Sequence, residues 1–277
     1  MGVVGSCNVD VVVRCAELPR AGETVLGDDL RRLPGGKGAN QAAAAARLGA
    51  RVTLLASLGD DEDGEWLRAG LAADGVDVSL VQCSPRPTGV ALITVDARGE
   101  NVIVVAPGAN GDLDLAALDL AAFDVVLASM EVPAAVVDDA ARRSRSFILN
   151  VAPARPVAPA TLERCAVVIA NEREAESLDA SAIDHLIVTR GVRGAEHRAR
   201  GRLVASARPP AVTPLDTVGA GDVFCAAYAT QFARGVASDA ALAYAVTAGA
   251  IATLGAGARG ALPTNSEVVQ WLERASS

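Results

Sequence analysis

The chain has 277 residues, 51% of them hydrophobic, so it can bury a sizeable core in one large α/β domain or two smaller ones. Its net charge of −8 argues against nucleic acid or an anionic membrane as a partner, and no apolar run approaches the ~20 residues that span a bilayer. Five scattered cysteines without a CxxC pair disfavour a disulfide framework or a zinc site, and the lack of a signal peptide predicts a cytoplasmic protein.

The hydrophobic pattern predicts strands that alternate with helices along most of the chain. Strands are predicted, in chain order, at 3–4, 9–13, 52–57, 88–95, 101–105, 125–128, 147–151, 167–169 and 186–189. Helices are predicted at 41–48, 65–74, 222–234 and 239–254. From about residue 123 the short apolar strands are mostly separated by helix-length segments, which implies a parallel sheet with crossover helices.

Two segments do not fit this parallel core. Residues 11–34 and 87–105, approximately, resemble hairpins, and the second joins two alternating runs through Asp96-Ala97-Arg98-Gly99. We expect these segments to form a small sheet that projects from the core. Because no linker or internal repeat is evident, residues 1–277 are predicted to form a single domain.

Lys37 is the only lysine among 25 basic residues, and it lies in the glycine-rich turn Pro34-Gly35-Gly36-Lys37-Gly38. Lysine is a compact point charge with three donors, whereas arginine is a wide planar fork, so the two are not interchangeable in a close-fitting site. The glycines let the backbone bend and let a ligand approach closely. The turn therefore indicates a ligand site, with a surface lysine in a loop as the alternative.

A second glycine-rich cluster, residues 215–224, runs directly into a predicted helix whose first turn carries Asp222. Backbone N–H groups at the start of a helix form an anion site. Asp222 is then either a carboxylate that only stabilises the helix dipole, or a base beside a transferring phosphoryl group. Cys225, one helical turn later, either faces the pocket or packs as a buried thiol.

Two other glycine patterns carry little weight. Residues 255–260 match GxGxxG, but they follow a helix-like segment and lack the strand–turn–helix context of a dinucleotide site, which argues against an NAD-dependent enzyme. Gly36-Lys37-Gly38 is not a Walker P-loop, because no serine or threonine follows the lysine.

The two clusters, in this order and at this separation, resemble the signatures of the ribokinase-like (PfkB) family of carbohydrate kinases. The resemblance extends over nearly the whole chain, and its motifs lie at 5–10, 35–41, 171–174, 189–194 and 216–222. It implies an α/β fold: a three-layer αβα sandwich with a mostly parallel central sheet and a small projecting β-sheet lid. It also implies a homodimer that forms through the lid sheet.

The resemblance further implies an ATP-dependent kinase that transfers the γ-phosphoryl group of Mg-ATP to the primary hydroxyl of a sugar, with D-ribose 5-phosphate from D-ribose as the expected product. Asp222 would be the base, and the N–H groups of Gly219, Ala220 and Gly221 would form an anion hole for the transferring group. The sugar would contact Asn8, Asp10, Gly36, Lys37, Asn40, Glu131 and Asp222.

The same resemblance assigns the nucleotide and cation sites. The nucleotide would contact Asn171, Thr189, Arg190, Gly191, Val192, Arg193, Gly194, Gly221, Asp222 and Val246. Glu174 would hold Mg²⁺ through water, since Mg²⁺ sheds its waters reluctantly. A monovalent cation, K⁺, would bind mostly to backbone carbonyls of Asp216, Val218, Ala252, Gly255, Gly257 and Ala261.

The chain departs from the family pattern in three places. Ala261 stands where a serine would offer K⁺ a side-chain ligand, so K⁺ activation is expected to be weak. Val246 stands where a polar contact to adenine is expected. A helix-bearing stretch expected near 178–186 is nearly absent, although its loss removes no site residue.

Three alternatives stay open at this point. A nucleoside kinase acting on adenosine would need an aromatic platform for the base, but residues 1–65 and 87–105 contain no Phe, Tyr or Trp. Fructose or another ketose could replace ribose, because hydroxyl-binding residues alone do not fix stereochemistry. A non-catalytic sugar-binding regulatory protein would be expected to lose the base or the anion hole, whereas Asp222, Gly219 and Gly221 are all present.

Overall fold

The computed structural model describes residues 1–276. Its strands are Gly2–Val4 (β1), Asn8–Arg14 (β2), Arg31–Gly35 (β3), Thr53–Leu55 (β4), Ser57–Gly59 (β5), Gln82–Ser84 (β6), Gly89–Val95 (β7), Asn101–Ala106 (β8), Val126–Ser129 (β9), Phe147–Asn150 (β10), Cys165–Asn171 (β11), Leu186–Thr189 (β12), Ala195–Ala199 (β13) and Arg202–Ala207 (β14). Its helices are Lys37–Arg47 (α1), Glu62–Ala73 (α2), Ala134–Arg143 (α3), Pro159–Leu162 (α4), Glu172–Ala175 (α5), Ala220–Ala233 (α6), Ser238–Ala252 (α7) and Asn265–Ser276 (α8). Short 3₁₀ helices cover Gly108–Asp112, Leu120–Ala122 and Gly191–Arg193.

The central sheet has eight strands in the order β14-β13-β12-β11-β10-β9-β1-β4. The strands from β12 to β4 are parallel to one another, and β13 and β14 add an antiparallel hairpin at one edge. Both faces of the sheet are buried. Val3 and Leu54 belong to one hydrophobic core, and their neighbours Val4 and Leu55 belong to the other, because successive side chains of a strand point to opposite faces.

Helices cover both faces, which confirms the three-layer αβα sandwich with a mostly parallel sheet. On one face, Val223 of α6, Leu242 of α7 and Val268 of α8 join the core, together with the alanines of α1. On the other face, Val137 of α3 is buried against the sheet, and Leu162 of α4 packs beside it. The alanine-rich composition of α1 lets this helix approach the sheet closely.

A separate four-stranded sheet, which we call the lid sheet, has the order β3-β2-β7-β8. Strand β2 pairs antiparallel with β3 and parallel with β7, so that Asn8 lies opposite both Gly35 and Gly89. The expected small projecting sheet is thus confirmed. Its outer strand β8 exposes Val102 and Val104 at 54% and 61%, so this side of the sheet presents apolar surface.

Several element boundaries differ from the prediction. Helix α1 begins at Lys37 rather than at 41, because Gly36 serves as its N-cap with a φ of 87°. The predicted strand 52–57 is divided between β4, in the central sheet, and β5, which pairs with β6 in a two-stranded sheet. The β13–β14 hairpin was not predicted. It turns at Arg200 and Gly201, which both have positive φ, and an Arg-Gly pair is a weak turn signal.

The helices are short in comparison with a bilayer. The two long helices that pack together, α6 and α7, have 14 and 15 residues. Of the helices within residues 1–276, none is long and apolar enough to cross a membrane. Residues 176–185, which include most of the stretch named near 178–186, form neither helix nor strand and join α5 directly to β12.

Candidate active site

The predicted site residues gather at the carboxyl ends of the parallel strands. The turn after β1, Glu131 just after β9, and Asn171 at the end of β11 all lie at this edge of the central sheet. Helices α1 and α6 also begin here, with their N-termini directed toward the same space. Crevices at this edge are where open α/β sheets bind their ligands.

Gly36 shapes the turn that presents Lys37. Its φ of 87° lies in the left-handed region, and a Cβ atom there would come within 2.7 Å of the Ser6 carbonyl oxygen and 2.8 Å of the Asn8 nitrogen. Helix α1 therefore starts directly against the turn that joins β1 to β2. As a result, Lys37 and Asn8 are neighbours although they come from different elements.

Asp222 is buried in the first turn of α6, with 6% of its surface exposed. Two consecutive residues of α1 hold its carboxylate: Asn40 Nδ2 donates to Oδ2 at 3.1 Å, and Gln41 Nε2 donates to Oδ1 at 3.2 Å. Burial raises the pKa of Asp222, and the charge of Lys37 opposes this rise. Asp222 in turn raises the pKa of Lys37. A carboxylate that only stabilised the helix dipole would need neither this burial nor these donors.

Asp10, on β2, interacts electrostatically with the carboxylates of Glu131 and Asp222. Gly35 of the neighbouring strand leaves room for it, since a Cβ atom on Gly35 would lie 2.1 Å from Asp10 Oδ1. Burial, together with the negative charge of Glu131, raises the pKa of Asp10 to about 7. Near neutral pH, Asp10 therefore exchanges between its neutral and ionised forms, which an exposed aspartate does not do.

Glu131 caps the start of α1. Its Oε2 accepts a hydrogen bond from the Lys37 backbone N–H at 3.0 Å and another from the Ser6 hydroxyl. A carboxylate at a helix N-terminus is stabilised by the helix dipole. Glu131 thereby connects the end of β9 to the glycine turn and brings a further negative charge to the site.

Three residues of the site were missed from the sequence. Asn110 accepts a hydrogen bond from the Cys7 N–H and donates to Asn8 Oδ1, both at 2.8 Å. Arg259 Nε donates to Asn40 Oδ1 at 3.1 Å. The third residue is Gln41, which donates to Asp222 Oδ1. Gln41 lies in the 35–41 motif that resembles the family, whereas Arg259 lies in the 255–260 glycine pattern.

A cavity of about 140 Å³ opens between α6 and the ends of β10, β11 and β12. The predicted residues that line it are Lys37, Asn171, Glu174, Thr189, Gly219, Gly221 and Asp222. Cys225 lines the cavity too and is only 2% exposed, so the thiol is both buried and directed toward this space. Because burial raises the pKa of Cys225, the thiol stays protonated.

Asn171 and Glu174 form two reciprocal hydrogen bonds at the edge of the cavity. Asn171 Oδ1 accepts from the Glu174 N–H at 2.9 Å, and Glu174 Oε2 accepts from the Asn171 N–H at 2.7 Å. This capping box fixes both side chains at the start of α5. Burial raises the pKa of Glu174, and the charge of Lys37 opposes that rise.

The predicted nucleotide loop, residues 189–194, includes the 3₁₀ turn between β12 and β13. Arg193 pairs with Glu172 at 2.6 Å, and Val192 is 88% exposed. Together with Arg208, the loop lines a second cavity, of about 420 Å³. Val246 is placed differently: it is 6% exposed and belongs to the hydrophobic core.

The predicted cation segments lie against each other. Asp216 Oδ2 accepts from the Gly257 N–H at 2.8 Å, and its Oδ1 accepts from the Val218 N–H at 3.0 Å. Gly255 packs so closely that a Cβ atom on it would lie 2.7 Å from the Ala261 Cβ. The carboxylate of Asp216 therefore joins the loop before α6 to the loop after α7.

Comparison with known proteins shows what the whole chain is similar to. Residues 2–265 match the pfkB family carbohydrate kinases. The chain is similar to a ribokinase from Bacillus subtilis, with 39% identity over 98% of each chain. It is also similar to the solved structure of a ribokinase from Thermotoga maritima, with a TM-score of 0.90, 28% identity and 98% of each chain covered. The Arabidopsis thaliana ribokinase complexed with ribose and ATP gives a TM-score of 0.89 and 27% identity, again over 98% of each chain.

Proposed function

The chain belongs to the pfkB family of carbohydrate kinases and is an ATP-dependent carbohydrate kinase; we propose that it phosphorylates D-ribose to D-ribose 5-phosphate in the cytoplasm. The observation that carries the proposal is the buried carboxylate of Asp222, held by Asn40 and Gln41, with Lys37 close by. A carboxylate at the start of α6 is suited to accept the proton of the primary hydroxyl during phosphoryl transfer. Its raised pKa brings it closer to neutral pH, where a general base is most effective.

The sugar is proposed to contact a set of polar residues around this base. They are Asn8, Asp10, Gly36, Lys37, Asn40 and Glu131. A ligand without matching hydroxyls would leave the polar groups that face it without partners, which disfavours it. The absence of aromatic residues from 1–65 and 87–105 supports a sugar rather than a nucleoside, and the ribokinase relatives support ribose.

The N-terminus of α6 is proposed to stabilise charge on the transferring phosphoryl group. Gly219 and Gly221 line the cavity, whereas the N–H of Ala220 donates to the Thr217 carbonyl at 3.3 Å. We therefore assign the anion hole chiefly to Gly219 and Gly221, with Ala220 as part of the turn that positions them. Donors of this type stabilise an oxyanion transition state by about 2.7–4 kcal/mol each.

The donor set of the cavity fits Mg²⁺ bound together with ATP. Among residues 1–276, no group of three or more His, Cys, Asp or Glu side chains could hold a metal ion by itself. Mg²⁺ usually keeps several waters and is held by substrate phosphates together with one or two carboxylates. Glu174 would supply one carboxylate, through a water. When bound, the ion neutralises charge on the β- and γ-phosphates. The nucleotide contacts proposed with it are Asn171, Thr189, Arg190, Gly191, Val192, Arg193 and Gly194. Val246 could contribute to this site only through the 6% of its surface that is exposed.

K⁺ is proposed to bind between the loops joined by Asp216. The bonds from Asp216 to Val218 and Gly257 support this site, because they hold two backbone segments together where carbonyl oxygens can converge. The other proposed ligands are Ala252, Gly255 and Ala261. Since Ala261 offers no side-chain oxygen, we expect K⁺ to increase activity only weakly.

A homodimer is proposed to form through the lid sheet. The strands β7 and β8 expose Leu92, Val102 and Val104 at 53%, 54% and 61%, and the strand register places these three apolar side chains on one face of the sheet. Apolar patches of this type commonly mark an interface. The matching sheet of a second copy would cover them.

The test of the function is ADP release with Mg-ATP and a panel of acceptors: D-ribose, fructose, 2-deoxyribose and adenosine, each with and without K⁺. Ribose-dependent release is expected to exceed release with the other acceptors. Strong turnover with adenosine would show that the pocket accepts a purine without an aromatic platform. If sugar binds but no acceptor gives ADP, the protein is a sugar-binding sensor and the proposed reaction is wrong.

The binding of D-ribose is expected to strengthen as the pH rises through about 7. The pKa of Asp10 is raised to about 7, and the charged groups around it are Glu131, Arg259, Asp222 and Lys37. A carboxylate accepts sugar hydroxyls better when it is ionised, so each pH unit below 7 should weaken binding by up to about tenfold, and the affinity should level off above 7. Calorimetric titration with ribose between pH 5.5 and 8.5 measures this dependence.

The control for this prediction is Asp10→Asn. This variant keeps the size of the side chain and removes its ionisation, so ribose affinity should be weaker above pH 7 and should vary little with pH. An equally steep dependence in both proteins would mean that another group is responsible.

A further inference from the structure

Arg259 is an arginine buried next to the catalytic carboxylate, and none of the roles given above includes it. Its side chain is 9% exposed; Nε donates to Asn40 Oδ1 at 3.1 Å, and Nη1 lies 3.7 Å from Asp74 Oδ2. Nη2 is buried without a hydrogen-bond partner among the described residues. Burying a guanidinium with an unpaired nitrogen costs free energy, so its position favours a role in function over one in stability.

The chemistry of the contact fixes the direction of a chain of hydrogen bonds. An arginine side chain has only donors, so the atom of Asn40 that faces it must be the carbonyl oxygen Oδ1. The amide NH₂ of Asn40 must then point the other way, where it donates to Asp222 Oδ2 at 3.1 Å. An ionised carboxylate only accepts hydrogen bonds, so both ends of Asn40 are satisfied in this orientation alone.

Without Arg259, the amide of Asn40 could rotate by half a turn. Its carbonyl oxygen would then face the carboxylate of Asp222, and two acceptors in contact favour the protonated acid over the base. Gln41 would still hold Oδ1 of Asp222, so the carboxylate would keep one of its two donors.

We propose that Arg259 is a positioning residue for phosphoryl transfer, which holds the Asn40 amide with its NH₂ group toward Asp222. This inference deepens the proposed kinase function and rests on it. It also gives the loop at 255–260 a direct connection to the base, because the loop that Asp216 holds at Gly257 carries Arg259 two residues later.

Two substitutions of Arg259 distinguish the effect of its Nε–H donor from the effect of its positive charge. In Arg259→Gln, the amide nitrogen is bonded to Cδ as Nε was, so an N–H donor stays in place while the charge is lost. In Arg259→Met, the methyl group Cε occupies that position, so both the donor and the charge are lost. Because both variants are neutral and similar in size, the difference between them isolates the hydrogen bond to Asn40.

Arg259→Gln is expected to keep kcat and the KM for ribose within about threefold of the unmodified protein, since the donor remains. Arg259→Met is expected to lower kcat at pH 7 by about tenfold and to move the acid limb of the kcat–pH profile up by about one pH unit. The charged or titratable groups that act on Asp222 in both variants are Lys37, Glu131, Asp10 and Cys225. These groups are unchanged, so they cannot account for a difference between the two.

Three measurements distinguish this role from simple packing. The carboxyl ¹³C signal of Asp222, titrated in the substrate-free protein and assigned with Asp222→Asn, should move to higher pH in Arg259→Met but not in Arg259→Gln. In an Asn40→Ala background, Arg259→Met should change kcat by less than about twofold further, because its effect passes through Asn40. Should Arg259→Met fail to fold, Arg259→Lys makes the same comparison: its methylene replaces the Nε donor while the charge stays, and it should behave as expected for Met.

Equal losses in Arg259→Gln and Arg259→Met would overturn the proposal, as would an Asp222 titration that neither variant shifts. Good activity in Arg259→Lys with poor activity in Arg259→Gln would also overturn it, since charge rather than the donor would then matter. If the unmodified protein releases no ADP with any acceptor, the proposed function fails. The substrate-free titration still tests the position of Asn40 in that case.

Discussion

Asp222→Asn is expected to lower turnover with ribose by about 10³-fold or more while ribose affinity stays within about threefold. The amide cannot take the proton of the acceptor hydroxyl, which is the role proposed for the carboxylate of Asp222 at the start of α6. Asn40 and Gln41 both donate to Asp222, so an amide in its place leaves one donor facing an NH₂ group. The measurements are steady-state ADP release, calorimetric ribose binding and a thermal melt to verify folding.

The matched control is Asp239→Asn. Asp239 is the first-turn acid of α7, as Asp222 is of α6, but it lies at an exposed helix start away from the cavity. If a first-turn carboxylate acts only through the helix dipole, both variants should lose a few tenths of a kcal/mol of stability, up to about 1 kcal/mol, and keep their activity. Near-normal turnover in Asp222→Asn would return Asp222 to that helix-stabilising role.

Gly219→Ala is expected to lower kcat by about 10²-fold or more and to destabilise the fold by about 1–3 kcal/mol. Gly219 has a φ of +79°, and a Cβ atom on it would lie 2.6 Å from the Ala258 Cα and 2.7 Å from the Ala258 carbonyl oxygen. Both neighbouring atoms belong to the backbone, so they cannot relieve the clash by a change of side-chain rotamer. The start of α6 must therefore move, and with it the N–H groups proposed to face the phosphoryl group.

Gly75→Ala is the control that separates the effect of backbone strain at a positive φ from the effect of a steric clash. Gly75 has a φ of +84°, and a Cβ atom there would meet nothing within 4 Å. It should lose stability like any alanine in the left-handed region but keep its kcat. If Gly219→Ala kept normal turnover at a temperature where it is folded, the anion hole would not be at this turn.

The parts of the site that the sequence predicted are those where one short segment carries the chemistry. Lys37 stands out because glycines surround it, and Asp222 because small residues precede it at a helix start. The two core faces also follow from the strands, since Val3 and Val4 are both apolar and must be buried on opposite sides. Such features depend on neighbours in the chain, which a single sequence displays.

The parts that the sequence did not reveal depend on contacts between distant segments. Arg259 meets Asn40 across 219 positions, and Asn110 meets Asn8 across 102. No local sequence pattern predicts contacts between such distant residues. Arg259 also lies within the 255–260 pattern, which resembles a dinucleotide-binding motif and not a site for a sugar or a base. The start of α1 was placed too late for a different reason: Gly38 looks like a helix breaker, but its missing side chain allows close contact with Gly5.

Strand β2 belongs to the lid sheet, yet it begins at Asn8 and carries Asp10, two of the residues proposed to contact the sugar. Asp222, the proposed base, lies in contrast on α6, which packs on the central sheet. Any rotation of the lid sheet would therefore carry two of the six proposed sugar contacts toward or away from a stationary Asp222. Substitution of Gly35 or Gly36, where β3 of the lid sheet meets α1, should therefore weaken affinity and rate together, whereas substitution of Asp222 should affect rate alone.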